Sequence, residues 1–417
     1  MKYVLIIGDG MADDPLAEFG GKTPLQYANI PGMDSLTETG VFGSVLTVPD
    51  GMNAGSDTAI LSIFGYDPKE YNVGRAPLEA AAVGIPLSPG DVAFRCNMVS
   101  IEDGDIPFDD KKMISHSSGA VEGAQSDELI RDLFADPVFK AAADDAGIVI
   151  YPGSSFRHIA IQEDKGIVPV SSCLLFPPHD HIGECIGRIL PSGGKNAGVL
   201  EHLMRLSNEF LDDHPINIKR RSDGKLPANC IWFWADGTAV KLPNFYDKYG
   251  KNGSVISAVP LCQGIGVLIG FDKIVVEGAT GDLYTNYEGK MNAAVEALET
   301  HDFVTIHIEA PDECTHNGDV KGKIQAIEWI DSRVVTPLIN RLNEKRVDFR
   351  MLVISDHRTL SSTRGHDGGP VPFVIYDSRI ECSTDETKDK TKFCEEDAAK
   401  GEFIRNGTEL PGMLFDI

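Results

Sequence analysis

Tyr3-Val4-Leu5-Ile6-Ile7-Gly8-Asp9-Gly10 reads as a buried β-strand over residues 3–7 that runs straight into a turn carrying a carboxylate. The apolar run is unbroken, as expected for a strand covered on both faces within a parallel sheet. It is too short for a secretory signal core or a membrane span, so it points to a cytoplasmic protein. The pattern of strand and then ligand-type residue recurs far down the chain. Strand 303–308 leads into Asp312-Glu313-Cys314-Thr315-His316, and strand 350–354 leads into Ser355-Asp356-His357, with His366 nearby. In a doubly wound sheet, ligands gather at the carboxyl ends of strands, so three remote segments deliver carboxylates and imidazoles to one edge.

Working outward, residues 1–85 alternate strand and helix, with a helix near 33–40, a strand at 41–48 and a turn at Pro49-Asp50-Gly51. Ser56, in Asn53-Ala54-Gly55-Ser56-Asp57, falls at a turn before the helix that begins near Thr58, facing the positive end of its dipole. From about 88 to 185 the texture changes: strands at 94–99, 147–151 and 156–161 flank acidic helical material at 121–144. This predicts a smaller α+β domain over 88–185 inserted into a catalytic domain of 1–87 and 186–417. After Pro177-Pro178-His179-Asp180-His181 the α/β pattern resumes, with strands at 230–234, 254–258 and 273–277 and helices at 194–212, 286–300 and 320–344. In the last helix Ile324, Ile327, Ile330, Val334, Leu338 and Leu342 keep close to 3.6 spacing. The polar tract 381–402 reads as a surface excursion.

The 417 residues, 42% of them apolar, suffice for two domains or one with an insertion. A net charge of −25 argues against nucleic acid and anionic membranes as partners, though not against a small anionic substrate, because bound cations reverse the sign of a site locally. The eight cysteines are scattered without any C-x-x-C pair and read as reduced thiols; Cys314 is a weak choice as a soft ligand beside hard carboxylates.

Taken singly, Asp9 is a turn former, Ser56 a helix cap and His366 a loop residue. Their joint order is what suggests a metal centre with a nucleophile. Asp312 and His316 stand four apart, so one helical turn points both at one ion. Asp356 and His357 are adjacent and reach one site only where the chain has left its strand. Carboxylates mixed with imidazoles suit Mn²⁺ or Zn²⁺ better than Mg²⁺.

Gly8-Asp9-Gly10-Met11-Ala12-Asp13, Gly21-Lys22-Thr23-Pro24-Leu25-Gln26, Gly74-Arg75-Ala76-Pro77-Leu78-Glu79-Ala80, Gly278-Ala279-Thr280-Gly281 and Pro370-Val371-Pro372-Phe373 carry a resemblance over nearly the whole chain. The sequence resembles the cofactor-independent phosphoglycerate mutases of the archaeal type, within the alkaline phosphatase superfamily. The resemblance implies an alkaline-phosphatase-like, doubly wound, mostly parallel sheet with helices on both faces, together with the inserted domain. It implies Asp9, Ser56, Asp356 and His357 around one metal and Asp312, His316 and His366 around the other, with Ser56 also the nucleophile. It further implies interconversion of 2- and 3-phosphoglycerate through a phosphoserine, in glycolysis and gluconeogenesis, without 2,3-bisphosphoglycerate. The insert would exclude water and grip a small phosphorylated substrate, with Arg157 and His158 first and Arg75, Lys290 and Arg364 next as binding groups. Thr58 is a second hydroxyl near the nucleophile, and His116 is not matched to a family histidine. The motifs leave the acceptor open, so homoserine phosphotransfer in threonine biosynthesis and a metal-dependent phosphomonoesterase are the alternatives. A sulfatase lacks its Cys-x-Pro-x-Arg segment here, and a non-catalytic binding module would have lost a ligand position. The oligomeric state is not legible in the sequence.

Overall fold

A computed structural model describes residues 1–71, 74–153, 155–164, 173–239, 241–380 and 391–416. In chain order its strands are β1 (Lys2–Gly8), β2 (Val41–Val45), β3 (Val92–Ile101), β4 (Met113–Ser115), β5 (Ile148–Tyr151), β6 (Arg157–Gln162), β7 (Cys230–Thr238), β8 (Gly253–Ile256), β9 (Asp272–Ile274), β10 (Phe303–Ile308), β11 (Phe349–Ser355), β12 (Arg358–Leu360), β13 (Gly365–Asp367), β14 (Val371–Asp377) and β15 (Glu402–Ile404).

The chain divides into two compact units, Met1–Asn72 with Leu242–Ile417, and Val73–Lys241. The first unit holds an eight-stranded sheet in the order β15-β2-β14-β11-β1-β10-β8-β9. β1 lies parallel to both β10 and β11, and β14 is antiparallel to its two neighbours. The apolar run of β1 is buried from Tyr3 to Ile7, which is why no polar alternation marks it in sequence. Register brings Gly8 level with Ile308 on one side and Ser355 on the other, so three carboxyl ends finish side by side. Helices pack against this sheet, among them Tyr287–Thr300 on β10.

The helical run expected at 320–344 consists of Val320–Ile330, a π-turn at Asp331–Val335, and Thr336–Glu344. Pro337 has no N–H to continue the ladder, and the wide turn sits just before it. The Asp331 carboxylate accepts from the Gly32 and Met33 amides at 3.0 and 2.5 Å, satisfying the start of the helix Pro31–Thr37.

The second unit is built on an antiparallel sheet in which β3 pairs with β4, β6 and β7, and β6 with β5. Its limits differ from the expected 88–185. β7, expected in the larger sheet, pairs along β3, and the helix Asn196–Leu211 packs on β7 over a core including Met98, Leu129, Leu200 and Trp232. The helix Arg75–Ala82 also packs on β3 and β7. Helical material expected as one run at 121–144 is broken at Asp136-Pro137, where the Asp136 side chain caps the helix Pro137–Ala146.

In the tract 381–402, residues 381–390 lie outside the described residues. Beyond them Phe393 and Cys394 are buried and β15 joins the sheet beside β2, so this part is no surface excursion. Among the described residues no helix is long and apolar enough to cross a membrane, and the seven described cysteines are free thiols.

Candidate active site

Just past the carboxyl ends of β1, β10 and β11, the first unit brings together every residue that the resemblance implies as a metal ligand. β1 ends at Gly8, and Asp9 follows at 1% exposure. Gly10, at φ +61°, turns the chain so that its amide donates to Asp356 Oδ1 at 3.0 Å. A Cβ at Gly10 would stand 2.4 Å from Thr359 Oγ1, so glycine is required by both conformation and space. β11 ends at Ser355 and β12 begins at Arg358, so Asp356 and His357 occupy the break between strands and both side chains reach one site. Asp312 and His316 lie on the helix Ala310–His316, with His316 Nε2 3.0 Å from Asp312 Oδ2. His366, in β13, approaches the same carboxylate at 3.4 Å and His316 Nε2 at 2.9 Å.

Ser56 is the first residue of the helix Ser56–Ile63. Its hydroxyl lies 3.3 Å from Asp9 Oδ2 and 3.2 Å from His357 Nε2, and the latter nitrogen is 3.4 Å from both Asp9 Oδ1 and Asp356 Oδ2. Thr58, the other hydroxyl in this segment, is buried at 2% exposure.

Two clusters result that can hold a cation: Asp312, His316 and His366, and Asp9, Asp312 and His357, with ligand atoms in each within 4.8 Å of one another. The first test of fit is spacing. Ligands about 2.0–2.2 Å from a tetrahedral ion stand roughly 3.3–3.6 Å apart, and the 3.2–3.4 Å separations around His357 Nε2 match that frame. The second is satisfaction. Asp9 Oδ1 and Asp356 Oδ2 are buried with no hydrogen-bond partner among the described residues, a costly arrangement for carboxylates that a cation relieves. The electrostatics agree. Burial, then the neighbouring Asp356 and Asp312, push the Asp9 carboxyl well above its ordinary value. Burial also pushes Asp312 up, but hydrogen bonds from His316 and His366 hold it well below the usual carboxylate range. The bond to Asp312 raises His316 to about 9, and burial lowers His357.

Sequence reasoning missed several residues that support these. His307, fully buried in β10, contacts Asp9 Oδ2 through Nε2 and Ser257 Oγ through Nδ1, each at 3.0 Å, and burial lowers it to about 4. The only signal was an imidazole inside an apolar strand, Phe303-Val304-Thr305-Ile306-His307-Ile308. Thr359 and the buried Lys323 carried no signal, because their roles depend on distant partners.

The expected substrate-binding residues fare differently. His158 is fully buried, with Nε2 2.8 Å from Ser126 Oγ and Nδ1 accepting from the Gly153 amide at 3.0 Å; it braces the second unit's core and cannot grip a substrate there. Burial lowers it to about 4. Lys290 is 1% exposed and donates to the His307 carbonyl at 3.1 Å, with burial lowering it to about 8, so it serves the scaffold instead of a substrate. Arg364 is exposed, and its carbonyl lies 2.8 Å from His316 Nδ1. In the second unit Arg75 is exposed at the start of its helix, while Arg157 projects from β6 beside the rings of Phe156 and Trp234, at 5.6 and 5.8 Å. Burial, with Arg95 close by, lowers the Arg157 guanidinium. His116 also contacts the Phe156 ring. Cys314 lies in neither cluster.

Residues 37–217 match a family model described as 2,3-bisphosphoglycerate-independent phosphoglycerate mutase. A protein of that name from Methanosarcina barkeri is 44% identical over 417 residues, spanning 99% of both chains. A Geobacter sulfurreducens protein, named a probable one, is 41% identical over the whole of both chains. Among solved structures, a protein from Pyrococcus horikoshii is 31% identical with a TM-score of 0.77, covering 100% of this chain and 96% of its own. The cofactor-independent phosphoglycerate mutase of Thermoplasma acidophilum is 24% identical with a TM-score of 0.65, over 100% and 99%, and shows the shared fold.

Proposed function

Since the chain belongs to the 2,3-bisphosphoglycerate-independent phosphoglycerate mutases, it interconverts 2- and 3-phosphoglycerate, and we propose that Ser56 carries the phosphoryl group between the two hydroxyls of glycerate. The relatives give no support to homoserine as acceptor or to simple phosphomonoester hydrolysis. The observation that carries the proposal is the placing of the Ser56 hydroxyl, at a helix start, within 3.3 Å of Asp9 and His357, beside two buried carboxylate oxygens without partners.

In this reading Asp9, Ser56, Asp356 and His357 hold one divalent cation and Asp312, His316 and His366 the other, with Mn²⁺ or Zn²⁺ suited to the mixed donors. When bound, the pair supplies Lewis acidity that favours the Ser56 alkoxide and neutralises charge on the phosphate oxygens. Ser56 Oγ gives up its proton and attacks phosphorus in line, the ester P–O bond to glycerate breaks, and the leaving glycerate oxygen takes up one proton, so that the serine proton is balanced by the new glycerate hydroxyl. Presentation of the other glycerate hydroxyl reverses the same step and frees Ser56. The amides at the start of the helix Ser56–Ile63 point their dipole at the transferred phosphate. His307 orients Asp9 from behind, and burial keeps its imidazole neutral, so it adds no charge to the cluster. Arg157 is the proposed anion-binding cation of the second unit.

The test is conversion of 3-phosphoglycerate to 2-phosphoglycerate by the Mn²⁺-loaded protein without 2,3-bisphosphoglycerate, in an enolase-coupled assay, with mass spectrometry of acid-quenched protein. Phosphate on the peptide containing Ser56 supports the reading. Turnover with phosphate trapped on another residue, or on none, overturns the assignment of Ser56.

A further inference from the structure

Thr359 stands between the two ligand clusters without belonging to either. Its hydroxyl lies 2.6 Å from Asp312 Oδ1 and 3.2 Å from His357 Nδ1. A hydroxyl has one proton, and a carboxylate at 2.6 Å can only accept it. The oxygen lone pairs therefore face His357, so Nδ1 must carry the hydrogen of that contact. The other neighbour of Nδ1 is the Arg358 carbonyl at 3.3 Å, again an acceptor. With the proton fixed on Nδ1, the Nε2 lone pair is left facing Ser56 Oγ, Asp9 Oδ1 and Asp356 Oδ2.

Thr359 is itself held at both ends. It is fully buried, its amide donates to the Ala12 carbonyl at 3.0 Å, and its carbonyl accepts from Lys323 Nζ at 2.7 Å. Lys323 is paired with Asp13 Oδ2 at 2.8 Å, and both side chains are fully buried. Asp13 in turn accepts from the Ser361 amide and hydroxyl. The missing Cβ of Gly10 leaves the space the hydroxyl occupies.

We propose that Thr359 is a positioning residue that couples the two metal sites: one hydroxyl fixes the tautomer of His357 in one ligand set and the orientation of the Asp312 carboxylate in the other. The proposal rests on the assignment of the two ligand sets above. Outer partners of this kind commonly change metal affinity by about 10- to 100-fold, and here one side chain serves both ions.

The experiment compares wild type, Thr359→Val and Thr359→Ser after chelation, by calorimetric titration with Mn²⁺ and by the visible spectrum of the Co²⁺ form. Wild type is expected to bind two ions. The valine variant is expected to keep the metal-free melting temperature within a few degrees while both dissociation constants rise about tenfold or more and the Co²⁺ spectrum changes. Serine, which retains the hydroxyl, is expected to restore both. Wild-type constants in the valine variant, or a serine variant as weak as valine, overturn the proposal. Binding of fewer than two ions by wild type overturns the ligand assignment itself, and the proposal with it. A readout that does not depend on the variants folding is the ¹⁵N spectrum of His357 in the loaded wild-type protein: a proton on Nδ1 is expected, and its absence overturns the proposal.

Discussion

The Ser56 hydroxyl is within reach of an imidazole and a carboxylate, and its residue opens a helix. Ser56→Ala is expected to lower mutase turnover by about 10⁴-fold or more with an unchanged circular dichroism spectrum, since a nucleophile is removed and nothing is unpacked. Retained turnover in the coupled assay would move the nucleophile elsewhere. His316 carries the clearest pH signature. Its value is raised to about 9 by Asp312, so in the metal-free protein it is protonated at neutral pH, whereas a ligand must be neutral. Metal affinity at its cluster is expected to fall about tenfold per pH unit from pH 9 down to pH 6.5, with one proton released per ion, as read by calorimetry in buffers of different ionisation enthalpy. Metal-free stability runs the other way. A raised folded value means the pair's contribution is fully present below the unfolded value near 6.5 and is lost as pH rises through about 9. Of the proposed ligands, Asp9, Asp356 and His357 stand out in the sequence just after apolar strands, and Asp312 and His316 on one helical turn, whereas His366, within the short strand β13, carries no such local mark. His158 and Lys290 misled because a cationic residue looks alike in sequence whether its side chain points to solvent or into a core.

Among the elements, the edge of the large sheet depends on glycines where β2 and β15 meet, Gly43 foremost. A Cβ on Gly43 would stand 1.9 Å from the Glu402 carbonyl oxygen, a backbone atom that cannot swing aside. Gly43→Ala is expected to pry β15 from β2 at a cost of at least about 2 kcal/mol, with faster amide exchange at Leu46, whose N–H donates to the Ile404 carbonyl at 3.0 Å. Unchanged exchange there would mean that β15 follows the shift of β2. Replacing Lys323 by Met leaves Asp13 buried without its cation and is expected to cost about 3–5 kcal/mol in denaturant unfolding. A midpoint close to wild type would show that the buried ion pair adds little to stability. Element positions were read well where periodicity is strong, as at 303–308 and 320–344. The π-turn at Asp331–Val335 was not, since Pro337 signals a break without saying how the helix absorbs it.

For the molecule as a whole, part of the large excess of acidic charge is buried where Asp9, Asp312 and Asp356 meet. Removing metal with a chelator is expected to abolish turnover and lower the melting temperature together, and Mn²⁺ at about a hundred times its dissociation constant is expected to return about 2.7 kcal/mol. Loss of activity with no change in melting would separate the metals from the fold. The larger sheet and its ligand edge were legible because strands and ligand residues alternate locally. The limits of the second unit were not, because β7 pairs with β3 through contacts such as Val99 with Cys230, and no local pattern records so distant a partner.

β1 is flanked by β10 and β11, which come about 300 and about 350 residues later. At about 5–20 residues per second, the ribosome releases β1 some tens of seconds before either neighbour exists. During that interval an unpaired apolar strand is exposed to other chains, and of the proposed ligands that share a cation with Asp9 only Ser56 has been made. The newborn protein thus assembles its proposed site only after β11 has been made, and until then the strand β1 waits without its two sheet neighbours.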